Sequence, residues 1–295
     1  MTALEQHKTG AAETYRVVDT STIEWVPEIN LKGFLRRLLY EDPETGSSTH
    51  IWQIPPGWGV HSMSGKPGRH IHRTVRERSL ILEGEQPRWE YDHPRQTEGT
   101  FGMDQKWSFQ DRPPRCLHGL EPGPTSRTGS KILFWDTGVS RDRKVWGEQE
   151  EKETLVIHFE GDLEKYGDEF TPGRHTDVNT IPWERHPVVK GWKRRVLAER
   201  TPDAPPVFMV HVPTDWDAGE QEVRLAVAAP RRWFYVINGD LPLTIYADES
   251  DSAGETVHLK EGFYLEFFGP ASIGFRKGQS PEIGATVLCM GHELA

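Results

Sequence analysis

The sequence predicts an all-β protein built from two tandem antiparallel barrels or jelly rolls, and two observations on residue pattern support this. Apolar and polar residues alternate in short segments such as Ser48–Ile54 and Leu241–Tyr246, which is typical of half-buried strands. The 28 Gly and 22 Pro residues suit many short strands joined by turns and leave little room for long helices. Strands and helical segments do not alternate along the chain, so a parallel sheet is not expected.

The third observation is an internal repeat. The segment that begins at Asp19 aligns without a gap with the segment that begins at Asp177, 158 residues later. Trp25 pairs with Trp183 in this register, which continues as far as Trp58 in the first copy. A register kept over so long a stretch indicates two copies of one structural module.

The repeat divides the chain into four predicted regions. Residues 1–17 form an N-terminal arm, 18–146 the first module, 147–175 an acidic connector and 176–295 the second module. Four glutamates lie close together between positions 148 and 153, which indicates a solvated connecting segment.

Composition excludes several classes of function. The net charge of −10 argues against a nucleic-acid-binding protein, which normally presents a basic surface. Apolar runs stay far below the about 20 residues that a membrane span needs. The N-terminus lacks the apolar stretch of a secretory signal, and Cys116 and Cys289 alone cannot form a disulfide framework. A cytoplasmic protein with no membrane or nucleic-acid partner is therefore expected.

The chemistry is concentrated in the first module. His70 and His72 are two residues apart, so on a strand both imidazoles project from the same face. Glu77 follows after a turn, and His118 lies just after a Pro-Pro pair, where a new strand would re-enter the barrel wall. Three neutral imidazoles and one carboxylate suit a divalent Fe, Mn, Ni, Cu or Zn ion.

These residues resemble the two sequence motifs of the cupin family. The first motif, G-x5-HxH-x4-E-x6-G, matches Gly65, His70, His72, Glu77 and Gly84 with one residue fewer before His70. The second, G-x5-P-x-G-x2-H-x3-N, is represented by Pro113, Arg115 in place of Gly, His118 and Pro122 in place of Asn. These departures fall in turns and leave the predicted ligands unchanged. YEDPETG, followed by PPGW, is also similar to the ChrR-like and acetylacetone dioxygenase-like cupins.

The resemblance implies two double-stranded β-helix barrels, a bicupin, and a mononuclear non-haem metal enzyme. The most concrete expectation is an Fe(II) dioxygenase that uses O2 to cleave a C–C bond in a small diketone, hydroxyketone or aromatic compound. A lyase, isomerase or decarboxylase that uses Mn or Zn is an alternative, and so is a non-catalytic sensor that binds a metal or small molecule. The resemblance also implies a homodimer.

Further residues of the first module are candidates for contact with the substrate. Glu77 is predicted to be a labile fourth ligand or a base, and Arg88 and Arg115 to pair with a substrate carboxylate or enolate. Four aromatic residues on predicted strands are candidates for the lining of a cavity or for the core: Trp89, Tyr91, Trp107 and Phe109.

The second module is predicted to lack the metal site. If Gly239 corresponds to Gly84, the two HxH positions fall on Leu225 and Val227 and the Glu position on Arg232. The position of the last histidine falls near Phe275. None of these residues binds metal ions, so a structural role is expected for this module.

Overall fold

A computed structural model describes residues 8–9, 14–28, 31, 33–59, 69–72, 74–93, 95–96, 98–119, 122–138, 154–156, 170–219, 222–227, 232–246 and 253–291, with the backbone alone at 8–9, 69 and 154–156. The regular structure of the described residues is β-strand, as predicted, apart from two short 3-10 turns at Thr20–Thr22 and Val178–Thr180. None of their helices has the length and apolar character needed to cross a membrane.

The chain forms two compact units, one continuous in sequence and the other made of two separate segments. The N-unit is Trp25–Thr180, and the C-unit combines Met1–Glu24 with Ile181–Ala295. The two units group residues that lie close together in space. The four regions predicted from the sequence follow the internal repeat instead, and their boundaries stay a prediction. Most of the predicted acidic connector lies outside the described residues.

The N-unit consists of two antiparallel sheets that share one long strand. Its strands are β3 (Val26–Pro27), β4 (Leu35–Glu41), β5 (Ser48–Ile54), β6 (Arg69–His72), β7 (Arg76–Glu90), β8 (Thr100–Gln105), β9 (Ser108–Arg112), β10 (Leu117–Gly119), β11 (Ser130–Thr137), β12 (Thr154–Val156) and β13 (Arg174–Asp177). The first half of β7 pairs with β11 and β9, and its second half pairs with β8 and β10. Gly84 lies between the halves with φ of +75°, a left-handed conformation that suits glycine and lets the strand bend from one sheet into the other.

The C-unit repeats this arrangement. Its strands are β1 (Lys8–Thr9), β2 (Tyr15–Asp19), β14 (Glu184–Arg185), β15 (Lys193–Ala198), β16 (Val207–Val212), β17 (Val223–Val227), β18 (Arg232–Tyr246), β19 (Glu255–Lys260), β20 (Phe263–Phe267), β21 (Ala271–Phe275) and β22 (Ala285–Met290). Strand β18 is the counterpart of β7, and Gly239, with φ of +82°, is the counterpart of Gly84. The long-range partner of β2 is β20, so the C-unit is closed by a strand from the beginning of the chain.

The interiors of the two units differ in chemistry. The C-unit encloses one continuous apolar cluster that extends from Trp192 through Phe234 to Val287. In the N-unit a smaller apolar cluster fills only part of the interior: Phe34, Ile54, Trp58, Ile81, Ile132 and Phe134. The N-unit also buries many polar side chains, and these include the predicted metal ligands.

Candidate metal centre

Three histidines of the N-unit converge on one point. Strand β6 carries His70 and His72 on the same face, and the antiparallel register places His118 of β10 directly opposite His70. One ring nitrogen from each histidine lies within 4.8 Å of the other two, and the three residues are between 2% and 8% exposed. Small side-chain movements would allow all three nitrogens to lie about 2.1 Å from one metal ion, the usual length of a metal–imidazole bond.

The carboxylate of Glu77 faces the same point. Its Oε1 is 3.3 Å from Nε2 of His72, and its Oε2 is 3.1 Å from Nε2 of His118. Nδ1 of His118 lies 2.9 Å from the carbonyl oxygen of Cys116, which can only accept, so Nδ1 carries the proton. Burial, with the charge of Arg112 and the proximity of His72, holds the pKa of His118 well below its usual range, and the ring is neutral.

A neutral His118 ring therefore directs the lone pair of Nε2 at the carboxyl group of Glu77. Two acceptor atoms this close need a proton or a metal cation between them. A divalent ion would bind to both, and the donor set of three imidazoles and one carboxylate fits such an ion. The residues present thus fit a metal centre.

A carboxylate network lies behind the ligands, formed by Glu90, Asp104, Arg88, Arg112 and His175. Arg112 donates to Oε1 of Glu90 through Nη2 at 2.7 Å and Nε at 3.1 Å, and its Nη1 lies 3.9 Å from Oε2 of Glu77. His175 lies between two carboxylates, with Nε2 2.7 Å from Glu90 and Nδ1 2.9 Å from Asp104. The contact with Glu90 is a close approach rather than a linear hydrogen bond.

Both carboxylates of this network are ionised. Burial alone would raise the pKa of Glu90, but the charge of Arg112 and the contact with His175 together hold it far below its usual range. Burial opposes ionisation of Asp104 too, and its hydrogen bonds to His175 and Arg88 lower its pKa. The network therefore gives the metal centre a fixed arrangement of charges.

Comparisons with known proteins support the fold. No family model matches the chain, and no curated protein matches it in sequence. A Nostoc punctiforme protein that has been proposed to be a dioxygenase is 14% identical, with a TM-score of 0.60, over 94% of this chain and 82% of its own. A Pseudomonas aeruginosa protein proposed to be induced by glyoxylate is 12% identical, with a TM-score of 0.59, over 98% and 92%. Oxalate decarboxylase from Bacillus subtilis is 14% identical, with a TM-score of 0.55, over 98% and 78%.

The chain has the bicupin fold. The similarity extends over both units, which agrees with the tandem cupin barrels expected from the sequence motifs. The narrower similarity to ChrR-like cupins is not shown by these structures.

The two predicted arginines of this bicupin lie in different surroundings. Arg88 belongs to the carboxylate network, where its Nε donates to Asp104 at 2.8 Å, and its side chain is 23% exposed. Arg115 is exposed in a turn with φ of +67°, and its backbone N–H donates to the carbonyl of His72 at 2.6 Å. Contact of either guanidinium with a substrate stays a prediction.

The aromatic residues named from the sequence do not line the metal side of the barrel. Trp89 alternates along β7 with Glu90, which lies opposite His118, so Trp89 faces away and packs against Phe101. Tyr91 packs with Leu117 on that same outer side. Trp107 lies in a turn with φ of +74°, and Phe109 packs against Trp135.

The aromatic surface inside the barrel is formed by residues not singled out from the sequence. Phe134 stacks on Trp52 with ring centroids 4.1 Å apart, and His50 stacks beside Phe134. Nε2 of His50 is 2.7 Å from Oγ of Ser48, whose backbone N–H donates to Asp136 at 2.5 Å. Since Asp136 lies opposite Glu77 in the register, this polar chain faces the ligands from the neighbouring strands.

The C-unit has apolar residues where the N-unit has ligands. Leu225 pairs with Ile273 in the register that joins His70 to His118, so the counterpart of His118 is Ile273. The counterpart of His118 therefore lies two residues before Phe275, the residue near which the sequence placed it. Leu225, Val227 and Ile273 all belong to the apolar core, and Arg232 stands at the position of Glu77.

Arg112, Glu90 and His175 were not found by sequence reasoning. Glu77 and Glu90 are thirteen positions apart, an odd number that would place them on opposite faces of a regular strand. The bulge in β7 near Gly84 shifts the register by one residue, and both side chains then face Arg112. No feature of the sequence alone specifies this bulge.

Proposed function

We propose that this bicupin is a mononuclear non-haem metal enzyme, most concretely an Fe(II) dioxygenase that cleaves a C–C bond in a small diketone, hydroxyketone or aromatic compound. The observation that carries the proposal is the convergence of His70, His72, His118 and Glu77 in one unit only. The counterparts of these residues in the C-unit bind no metal, so the fold does not require this ligand set.

The charge of the site favours an anionic substrate. A divalent ion with three neutral imidazoles and one carboxylate keeps one net positive charge. Arg112 adds a positive charge beside Glu77, although Glu90 balances it at 2.7 Å. An enolate or carboxylate would therefore bind more favourably than a neutral compound of the same shape.

When bound, the metal would supply open positions that hold the substrate and O2 in reacting geometry and stabilise developing negative charge. The residues of the chain would orient these partners. Glu77 would act as a fourth ligand or as a base, and Arg112 would hold its Oε2 oxygen in place. Phe134 and Trp52 would provide an apolar surface against which a planar substrate packs.

The second candidate is a redox-neutral lyase, isomerase or decarboxylase that uses Mn or Zn as a Lewis acid. The similarity in fold to oxalate decarboxylases from Bacillus subtilis and Lactobacillus farciminis favours testing it. Consumption of O2 during turnover separates the two enzymes. A bicupin that binds a metal or small molecule without turnover is the remaining alternative, and a homodimer in the cytoplasm stays a prediction.

The first experiment is metal analysis by plasma mass spectrometry on protein purified without chelators or an affinity tag. We expect about one Fe per chain, as for a single four-donor site, and loss of the metal in His70→Ala and His118→Ala. His258→Ala is the matched control, because His258 is an exposed histidine on β19 of the C-unit.

The outcomes distinguish the candidates. Iron that is lost in both ligand variants and kept in His258→Ala supports the dioxygenase and leads to oxygen-electrode assays with diketones and hydroxyketones. Stoichiometric Mn or Zn favours the lyase, isomerase or decarboxylase. Absence of bound metal even after reconstitution refutes the proposal of a metal enzyme.

A further inference from the structure

We propose that His175 is a positioning residue of the metal centre, so that affinity for the metal depends on strand β13. This inference rests on the proposed metal-binding function. Strand β13 pairs only with β9 among the described strands, with His175 opposite Gln110. Its side chain is 8% exposed and reaches into the carboxylate network.

His175 connects two buried carboxylates that no other side chain of the described network joins directly. Its Nε2 lies 2.7 Å from Oε1 of Glu90, and its Nδ1 lies 2.9 Å from Oδ2 of Asp104. The same Oδ2 of Asp104 accepts a hydrogen bond from Gln110 at 2.7 Å. One imidazole thus links side chains of β7, β8 and β9, the strands that carry these three residues.

Two routes lead from His175 to predicted ligands. Oε1 of Glu90 faces His175 and also accepts both hydrogen bonds from Arg112, and Nη1 of Arg112 lies 3.9 Å from Oε2 of Glu77. A second route is through the backbone, because Glu90 lies opposite His118 in the β7–β10 pairing. Movement of Glu90 would therefore change the position of Arg112 beside Glu77.

The C-unit shows that the fold itself does not need this histidine. Strand β2 docks on β20 as β13 docks on β9, and Val17 lies opposite Leu265 where His175 lies opposite Gln110. The counterparts of Glu90 and Asp104 are Ile245 and Leu259, both buried in the apolar core. In the unit without ligands an apolar side chain takes the place of His175, and the polar set of Glu90, Asp104 and His175 occurs only in the unit that has the ligands.

The test is titration of metal-free full-length protein with Co²⁺, followed by the visible absorption of the bound ion. His175→Val introduces the side chain found at the equivalent position of the C-unit. We expect its affinity for Co²⁺ to fall by about 10-fold, the lower end of the effect of removing a partner that contacts a ligand directly, because His175 acts through Glu90 and Arg112. We also expect the absorption bands to shift. His175→Gln keeps a donor for one carboxylate and should recover part of the affinity.

Val17→Ala is the matched control, since it alters the equivalent strand of the C-unit, and it should leave the affinity and the spectrum unchanged. A folded His175→Val protein with wild-type affinity and spectrum overturns the inference. If His175→Val does not fold, Glu90→Gln decides, because it removes the charge that His175 holds while keeping the shape; unchanged Co²⁺ binding in that variant also overturns it. Failure of the wild type to bind Co²⁺ would instead refute the proposed function.

Discussion

Replacement of Arg112 by methionine tests whether the carboxylate network is held together by paired charges. The guanidinium is 16% exposed, contacts a Glu90 side chain that is 10% exposed, and donates two hydrogen bonds to it. Removing one partner of a buried ion pair usually costs about 3–5 kcal/mol, because the other charge stays buried. His175 still faces Glu90 in the variant, so we expect the lower end of that range.

The assay is differential scanning calorimetry of metal-free protein, since two units can unfold in separate transitions and bound metal would add its own stabilisation. A loss of about 3 kcal/mol corresponds to a decrease in Tm of about 6–12 °C for a unit of this size. The transition of the C-unit should not move, which provides an internal control.

The double variant Arg112→Met, Glu90→Leu distinguishes pairing from packing. It resembles the C-unit, where Phe267 and Ile245 stand at these positions, and it removes the buried Glu90 carboxylate together with its cation. We expect it to be more stable than Arg112→Met alone by about 1–2 kcal/mol. A double variant that unfolds at a lower temperature than the single one, or a single variant within about 2 °C of the wild type, would refute the account based on charge pairing.

Three further outcomes are expected. Gly84→Ala should lower the free energy of unfolding, measured by urea denaturation, by about 2 kcal/mol more than Gly57→Ala does. Both glycines have φ of +75°, but only at Gly84 would an added Cβ overlap a backbone carbonyl. Equal losses of stability in the two variants would contradict this. Cys116 and Cys289 are at most 1% exposed and burial raises the pKa of both thiols, so neither should react with a thiol reagent before unfolding, and rapid labelling would argue against this packing. Burial lowers the pKa of His118, so on acidification the unfolded chain binds a proton that the folded chain does not bind. The free energy of unfolding of metal-free protein should therefore fall from about pH 7 to pH 5, with a smaller slope in His118→Gln. Equal slopes in the two proteins would show that another group controls the pH dependence.

The sequence was sufficient for the fold because its signals are local and repeated. Alternation, turn residues and the tandem copies each predict short antiparallel strands, and the structure has them. The convergence of His70 and His72 also follows from local geometry, since residues two apart share a face of a strand. Their approach to His118 followed from the family motifs, and coordination of a metal by the four residues stays a prediction.

What escaped prediction depends on register over long distances. The bulge in β7 decides that Glu90 shares a face with Glu77, and a one-residue shift of this kind leaves no mark in composition. His175 reaches the site because β13 pairs with β9, a contact with no spacing rule behind it. The counterpart of His118 was misplaced by two residues for the same reason, since its position depends on the pairing of β17 with β21.

The pairing of β2 with β20 has a consequence for biosynthesis. Tyr15 lies opposite Phe267, so the strand emerges from the ribosome long before its partner has been translated. At about 5–20 residues per second, the roughly 250 intervening residues take about 12–50 s to synthesise. The N-unit can complete its sheets once β13 has emerged, but the C-unit must wait for nearly the whole chain. During that interval the partner of β2 has not yet been made, so Tyr15–Asp19 is an exposed strand of the nascent chain that needs protection from wrong pairing.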